Sequence, residues 1–269
     1  TRPDPLVTRH CIMGVKGRRD YTGQVEQVLD EDDVRRAIRQ LVEDLGIEAI
    51  AICFLYSYVD PSDERRVAEI VKNMYPNVVV SISSNIVREH REYERTSTTV
   101  LDAYIRPVFE RYMDRLEGKL RADSFAGRFL VMRSGGGAMT GNAARRSPTH
   151  TVLSGPAGGI AGAEYLADLL GRDDLISFDV GGTSLDVCKI EGSRAAAAFE
   201  DKLENHPLLI PVYDMRSIGA GGGSIAWIDE GLLKVGPRSA GAEPGPICYG
   251  RGGSEPTVTD GAVCLGYID

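Results

Sequence analysis

The stretch ISFDVGGTSLDVCKI, Ile176–Ile190, decides how this chain is read. Ile176–Val180 has the character of a strand, Gly181-Gly182-Thr183 that of a turn, and Leu185–Ile190 that of a second strand, with the Asp179 carboxylate where the first strand ends. Adjacent glycines let a backbone take positive φ and come close to a ligand. Their N–H groups, with the Thr183 hydroxyl, are then free to point at phosphate oxygens. Asp179 in that setting is suited to hold a hydrated Mg²⁺ or to orient a water. An ordinary Gly-Gly hairpin with a polar neighbour fits the same letters, and the stretch alone leaves both readings open.

Toward the C-terminus, Leu208–Tyr213 reads as a strand, and Ser217–Ser224 is the most glycine-dense run in the chain. It matches the dinucleotide pattern Gly-x-Gly-x-x-Gly only in part. Ser224 stands in the last glycine position, and strand-like Ile225–Ile228 follows where a helix is required, so a Rossmann site is rejected. Residues 236–260, rich in Gly and Pro, are expected to form a long loop that is functional or pinned on a domain surface.

Toward the N-terminus, Leu153-Ser154-Gly155-Pro156-Ala157-Gly158-Gly159 leads into a small-residue helix, Ile160–Leu170, able to pack closely on a neighbour or on phosphates. Phe129–Met132 reads as a short strand ending in Ser134-Gly135-Gly136-Gly137. The region from Glu92 to about Asp123 is helix-prone, with Val100, Tyr104, Val108, Tyr112 and Leu116 down one side and Pro107 expected to bend it or start a new segment. Its opening, Arg91–Thr99, is dense in polar groups and fits either a solvated, ion-paired face or a substrate or interdomain surface. Before it, helices from Asp30 to Gly46 and from Asp60 to Tyr75 alternate with strands Glu48–Tyr56 and Val78–Ile82. That alternation predicts an α/β sandwich with a largely parallel sheet. Cys11–Val15 and Gln24–Leu29 are β-prone patches of a hairpin or long loop.

The chain has 269 residues, enough to bury roughly 75% of its surface on folding. With Lys plus Arg 31 against Asp plus Glu 39, the net charge is −8, which leaves no overall electrostatic footprint for nucleic acid or an anionic membrane. Five scattered cysteines without a Cys-x-x-Cys pair argue against a disulfide framework or a zinc site and for reduced thiols in a cytoplasmic protein. The four histidines have no ligand-like spacing, and the P-loop, His-Glu-x-x-His and Gly-x-Ser-x-Gly patterns do not occur.

Taken in order, Arg91–Thr99, Val152–Gly159, Asp179–Asp186, Ser217–Trp227, Gly236–Gly241 through Pro244–Pro246, and Pro256–Asp260 resemble the hydantoinase/oxoprolinase family over nearly the whole chain. The resemblance implies an α/β, ribonuclease H-like (actin-like ATPase) two-domain architecture, incomplete at both ends. Residues 1–150 would be the remainder of the first domain with its long helix; residues 151–269 would be the connecting helix and the start of the second, nucleotide-binding domain. It implies ATP and Mg²⁺ as cofactors. Asp179 and Asp186 are the candidate catalytic carboxylates, and Asp179 is also the candidate metal ligand. Gly181, Gly182, Thr183, Ser184, Gly221, Gly222 and Gly223 are the candidate nucleotide contacts. The implied activity is ATP-dependent opening of a five-membered cyclic amide such as hydantoin or 5-oxoproline, with a second hydantoinase-type subunit as partner. The ATP-binding subunit of a ketone carboxylase and a non-catalytic scaffold subunit are the alternatives. Because the family's first phosphate motif and its later adenosine segment have no counterpart in these letters, the sequence is expected to be an internal piece of a longer chain.

Overall fold

The computed structural model describes residues 4–203 and 205–269 and falls into two compact units. One takes the chain up to Ser154 together with Ala198–Val212; the other takes Gly155–Ala197 together with Tyr213–Asp269.

In the first unit, strands Ala49–Ile52 and Val79–Ile82 pair parallel, in register from Ala49 opposite Val79 to Ile52 opposite Ile82. They are parallel because the connection between them is long enough to carry a crossover helix, Ser62–Met74. The Asp30 carboxylate caps the preceding helix, Glu31–Arg39, by accepting from the Asp33 N–H at 3.0 Å. That helix widens into a π turn over Gln40–Asp44 before Gly46, at φ +65°, releases the chain. The helical spacing of Val34, Ile38 and Leu41, and of Val67, Ile70 and Val71, places both stripes on Ile50 and Ile52 in one apolar core.

The first strand is shorter than the expected Glu48–Tyr56. Glu64, fully buried on the crossover helix, accepts from the Phe54 N–H at 2.8 Å, and Tyr56 turns to φ +59°, so the chain leaves the sheet after Ile52. Beside it, Cys53 is inert, because burial pushes its thiol up to about 11.

The long helix runs unbroken from Glu92 to Ala122, through Pro107, and it is turned the other way from the sequence expectation. Tyr104, Val108 and Tyr112 are 79%, 61% and 52% exposed, whereas Arg95, Thr98, Thr99, Asp102 and Arg106 are buried. Both sets repeat at helical spacing, and the polar one faces inward because each member finds a partner. Arg95 donates to the Phe54 carbonyl at 2.7 Å, and Thr99 donates to the Arg95 carbonyl at 2.8 Å. Thr98 donates to the Glu94 carbonyl and accepts from the Leu209 N–H, both at 2.8 Å. The run Arg91–Thr99 is therefore solvated only at its start, where Arg91 pairs with Glu94 and Glu200. Leu101 packs with Leu208, Ile210 and Val212 in a second core, formed by the returning segment. The single strand expected over Leu208–Tyr213 is split into His206–Leu208 and Val212–Tyr213.

The second unit opens with helix Ser154–Leu170, which begins six residues before the expected Ile160. Strands Leu175–Val180, Leu185–Glu191 and Met215–Ile218 follow as an antiparallel sheet, with the middle strand flanked by the other two. A further antiparallel hairpin pairs Ser224–Asp229 with Leu232–Ser239. The parallel pairing expected from the alternation before Ile82 is found in the first unit; here the short turn after Val180 joins its two strands antiparallel, and strand Met215–Ile218 also pairs antiparallel. The whole remains α/β. Among the described residues no helix is long and apolar enough to cross a membrane.

Candidate functional site

The stretch Ile176–Ile190 is a hairpin whose four-residue turn, Gly181–Ser184, is closed by the Gly181 N–H on the Ser184 carbonyl at 2.9 Å. Asp179 stands directly opposite Asp186, and Asp186 directly opposite Ser217 on the third strand. Cross-strand partners share a face, so the three side chains form a row across the sheet at the turn end. Below the row, Cys188 and Ile190 are buried. A Cβ placed on Gly159 would lie 3.7 Å from an Asp179 carboxylate oxygen, which puts that carboxylate beside the second turn of helix Ser154–Leu170. That distance is ordinary contact, and Gly155, Gly158 and Gly162 face open space, so the close packing expected of this helix start is not what its glycines serve.

The glycine run 219–223 lies across the turn, backbone on backbone. The N–H groups of Gly221, Gly222 and Gly223 donate to the carbonyls of Thr183, Gly181 and Gly182 at 3.3, 2.9 and 2.6 Å. Ser224, fully buried, accepts from the Gly221 N–H at 2.9 Å through its hydroxyl. The residue that breaks the dinucleotide pattern is therefore the one that fixes the run. Among the described residues the N–H groups of Gly182, Thr183 and Ser184 meet no acceptor. Gly181, Gly182 and Thr183 are exposed. The arrangement leaves three donors on an open turn, whereas Gly221–Gly223 spend theirs on holding it; any contact those three make to a nucleotide uses other atoms.

Of the expected loop 236–260, the ends belong to strand Leu232–Ser239 and helix Val258–Cys264, and the stretch between them is pinned to this assembly. Thr259 donates through its N–H and its hydroxyl to the Gly222 carbonyl at 2.9 and 2.8 Å, the Ala240 N–H donates to the Gly223 carbonyl, and Trp227 Nε1 donates to the Gly236 carbonyl. Helix Val258–Cys264 starts in a capping box between Thr257 and Asp260. The Asp260 carboxylate also accepts from the N–H groups of Ile247 and Cys248 at 3.2 and 2.7 Å. Burial pushes its pKa up, but the donors of Cys248 and Thr257 outweigh this and hold it well below the usual carboxylate range. A depressed carboxylate contributes stability above its unfolded pKa, near 3.9, and loses it as pH falls from there through the folded value. Asp260→Ala is expected to free the loop, so that trypsin cleaves after the exposed Arg251 several times faster than in the parent; unchanged cleavage kinetics would show that Asp260 does not restrain it. The Thr-x-x-Asp spacing that announces this cap is readable in the sequence, while Ser217 and Ser224 carry no motif of their own.

Two carboxylates facing each other across a strand pair repel unless a cation or a proton lies between them. Among the described residues no group of three or more His, Cys, Asp or Glu is placed to hold a metal ion. Mg²⁺ keeps most of its waters and takes one or two carboxylates plus phosphate oxygens, so Asp179 and Asp186 would be the residues to hold it if it binds.

Comparison with known proteins gives the chain's family. The hydantoinase/oxoprolinase model matches residues 95–269, and that of the hydantoinase/oxoprolinase N-terminal region matches residues 2–75. The acetophenone carboxylase gamma subunit of Aromatoleum aromaticum is 40% identical over the whole chain. The crystal structure of the ATP-dependent caprolactamase from Pseudomonas jessenii is 37% identical with TM-score 0.82 over 100% of this chain, and the nucleotide-free structure of an acetone carboxylase is 32% identical with TM-score 0.86 over 99%. The chain spans 37%, 39% and 38% of those three relatives' own lengths. It belongs to the hydantoinase/oxoprolinase family.

Proposed function

We propose that the Gly181–Ser184 turn is one phosphate-binding jaw of an ATP-dependent enzyme that opens a cyclic amide. The observation that carries this reading is the open turn with three uncommitted N–H donors beside the Asp179–Asp186 pair. A lactam carbonyl is a poor electrophile, and transfer of a phosphoryl group to its oxygen makes that oxygen a leaving group. The protein's part is to neutralise phosphate charge and to fix geometry. The amides of Gly182, Thr183 and Ser184 would receive phosphate oxygens. Asp179 and Asp186 would hold Mg²⁺, which supplies charge neutralisation when bound, and Asp186 would orient a water on the same face. Gly221–Gly223 keep the turn in shape. This assigns the chain part of an actin-like, ribonuclease H-like clamp, works with a second subunit as the relatives named as subunits do, and places the protein in the cytoplasm, in keeping with five free cysteines.

The test is nucleotide consumption by the full-length protein with its partner subunit, offered hydantoin or 5-oxoproline. Asp179→Asn should lower ATP-coupled turnover by roughly 10²- to 10³-fold with little change in thermal stability, since the side chain is exposed. Ring opening without ATP consumption would refute the proposal. A second reading has its own support in the two carboxylase relatives: phosphorylation of an enolate or of bicarbonate in ketone carboxylation. ATP consumption that depends on acetone or an aryl ketone, with none on lactams, would select it.

A further inference from the structure

We propose that the first unit contains a separate binding site for a small aliphatic carboxylate, in a cavity of about 470 Å³ beside strand Val79–Ile82. The reading of the phosphate turn does not enter this inference. Ala68 and Lys72 line the cavity from the crossover helix, Val80 and Ile82 from the strand and Asn85 and Ile86 from the short helix that follows it, and Arg106 and Arg146 complete the lining of a cavity that stays open to solvent. The lining holds three cationic side chains and no acidic one, in a chain whose net charge is −8.

The three cations are not equivalent. Arg106 is committed: its guanidinium donates to the Asp102 carboxylate, to the Ser81 hydroxyl and to the carbonyls of Arg145 and Arg146. It forms a wall whose charge Asp102 offsets. Lys72 and Arg146 are exposed and form no ion pair among the described residues, so the uncompensated charge in the cavity is theirs. The other half of the lining, Ala68, Val80, Ile82 and Ile86, is apolar. Two cations facing an apolar floor match an anionic head on a short hydrocarbon body. A bare inorganic anion would leave the floor unused, and an amine or zwitterion would find no acidic partner.

The experiment is a titration of the full-length protein, without nucleotide, with butyrate, inorganic phosphate and butylamine, read by calorimetry. Butyrate is expected to bind with a dissociation constant of roughly millimolar order, as its few heavy atoms allow. Lys72→Met and Arg146→Met should each weaken it about fivefold, and both together should abolish measurable binding. Butylamine should not bind. Both side chains are exposed, so the variants keep their fold, which an unchanged melting temperature verifies. Asp179→Asn should bind butyrate as the parent does, which separates this site from the nucleotide reading. No heat with butyrate, equal affinity for phosphate and butyrate, or undiminished binding in the double variant would each overturn the proposal.

Discussion

Gly221→Ala is expected to abolish ATP-coupled turnover in the full-length enzyme, by at least about a hundredfold, and to destabilise the fold by about 1–3 kcal/mol. A Cβ at this position would sit 2.6 Å from the Gly181 carbonyl oxygen, 2.6 Å from the Thr183 nitrogen and 2.7 Å from the Gly182 carbonyl carbon. All three atoms are backbone of the Gly181–Ser184 turn, so no side chain is available to rotate away. The methyl group can be accommodated only by driving the glycine run off the turn, which breaks the hydrogen bonds that hold Gly181, Gly182 and Thr183. Gly222→Ala supplies the comparison. Its Cβ would meet the Thr259 hydroxyl at 2.9 Å, the tip of a side chain that can turn. A milder loss is expected there, mostly in the order of the 236–260 loop. Measured by chemical denaturation and by ATP turnover, the two variants should rank clearly. Parental turnover in Gly221→Ala would mean that the turn does not need the run against it, and the site as built here would be wrong.

The hairpin and its turn were legible because the information is local: two glycines between β-prone segments admit few geometries, whereas the facing of Asp179 and Asp186 came from the register. The crossover helix and its apolar stripe were legible for the same reason. What the letters concealed was pairing across long separations. In the helix Glu92–Ala122 two stripes have the same period, and periodicity alone favours burying the apolar one. The polar stripe wins because Phe54 and Leu209, 41 and 111 residues away, supply an acceptor for Arg95 and a donor for Thr98. The role of Gly221–Gly223 was hidden likewise. Glycine density announces close backbone approach, but whether the approaching backbone is met by a phosphate or by another loop of the same chain is a tertiary fact. Here it is met by the Gly181–Ser184 turn.

Asp102→Ala is the substitution expected to damage the first unit most, by about 3–5 kcal/mol, because it strands a buried charge. Asp102 is fully buried. One of its carboxylate oxygens accepts from the Ser81 hydroxyl at 2.6 Å, from Arg106 Nε at 3.0 Å and from Arg106 Nη2; the other accepts from the Thr149 hydroxyl at 3.2 Å. Those partners belong to strand Val79–Ile82, to the long helix itself and to the segment just before Ser154, so one carboxylate ties three parts of the unit together. Removing it leaves the largely buried Arg106 guanidinium with only Glu110, at 3.8 Å, as a counter-charge and two hydroxyls without an acceptor, and each loss adds to the cost. The penalty should fall sharply when the charge is removed with its partner. Asp102→Leu combined with Arg106→Met is expected to recover much of the stability lost by Asp102→Ala, since a buried ion pair returns little over apolar groups of similar volume. Equilibrium urea denaturation of the single and double variants decides the matter. If the double variant is no more stable than Asp102→Ala, the cost lies in the lost ties to Ser81 and Thr149 and not in the unpaired charge, and the polar face of the helix is held by its hydroxyl network.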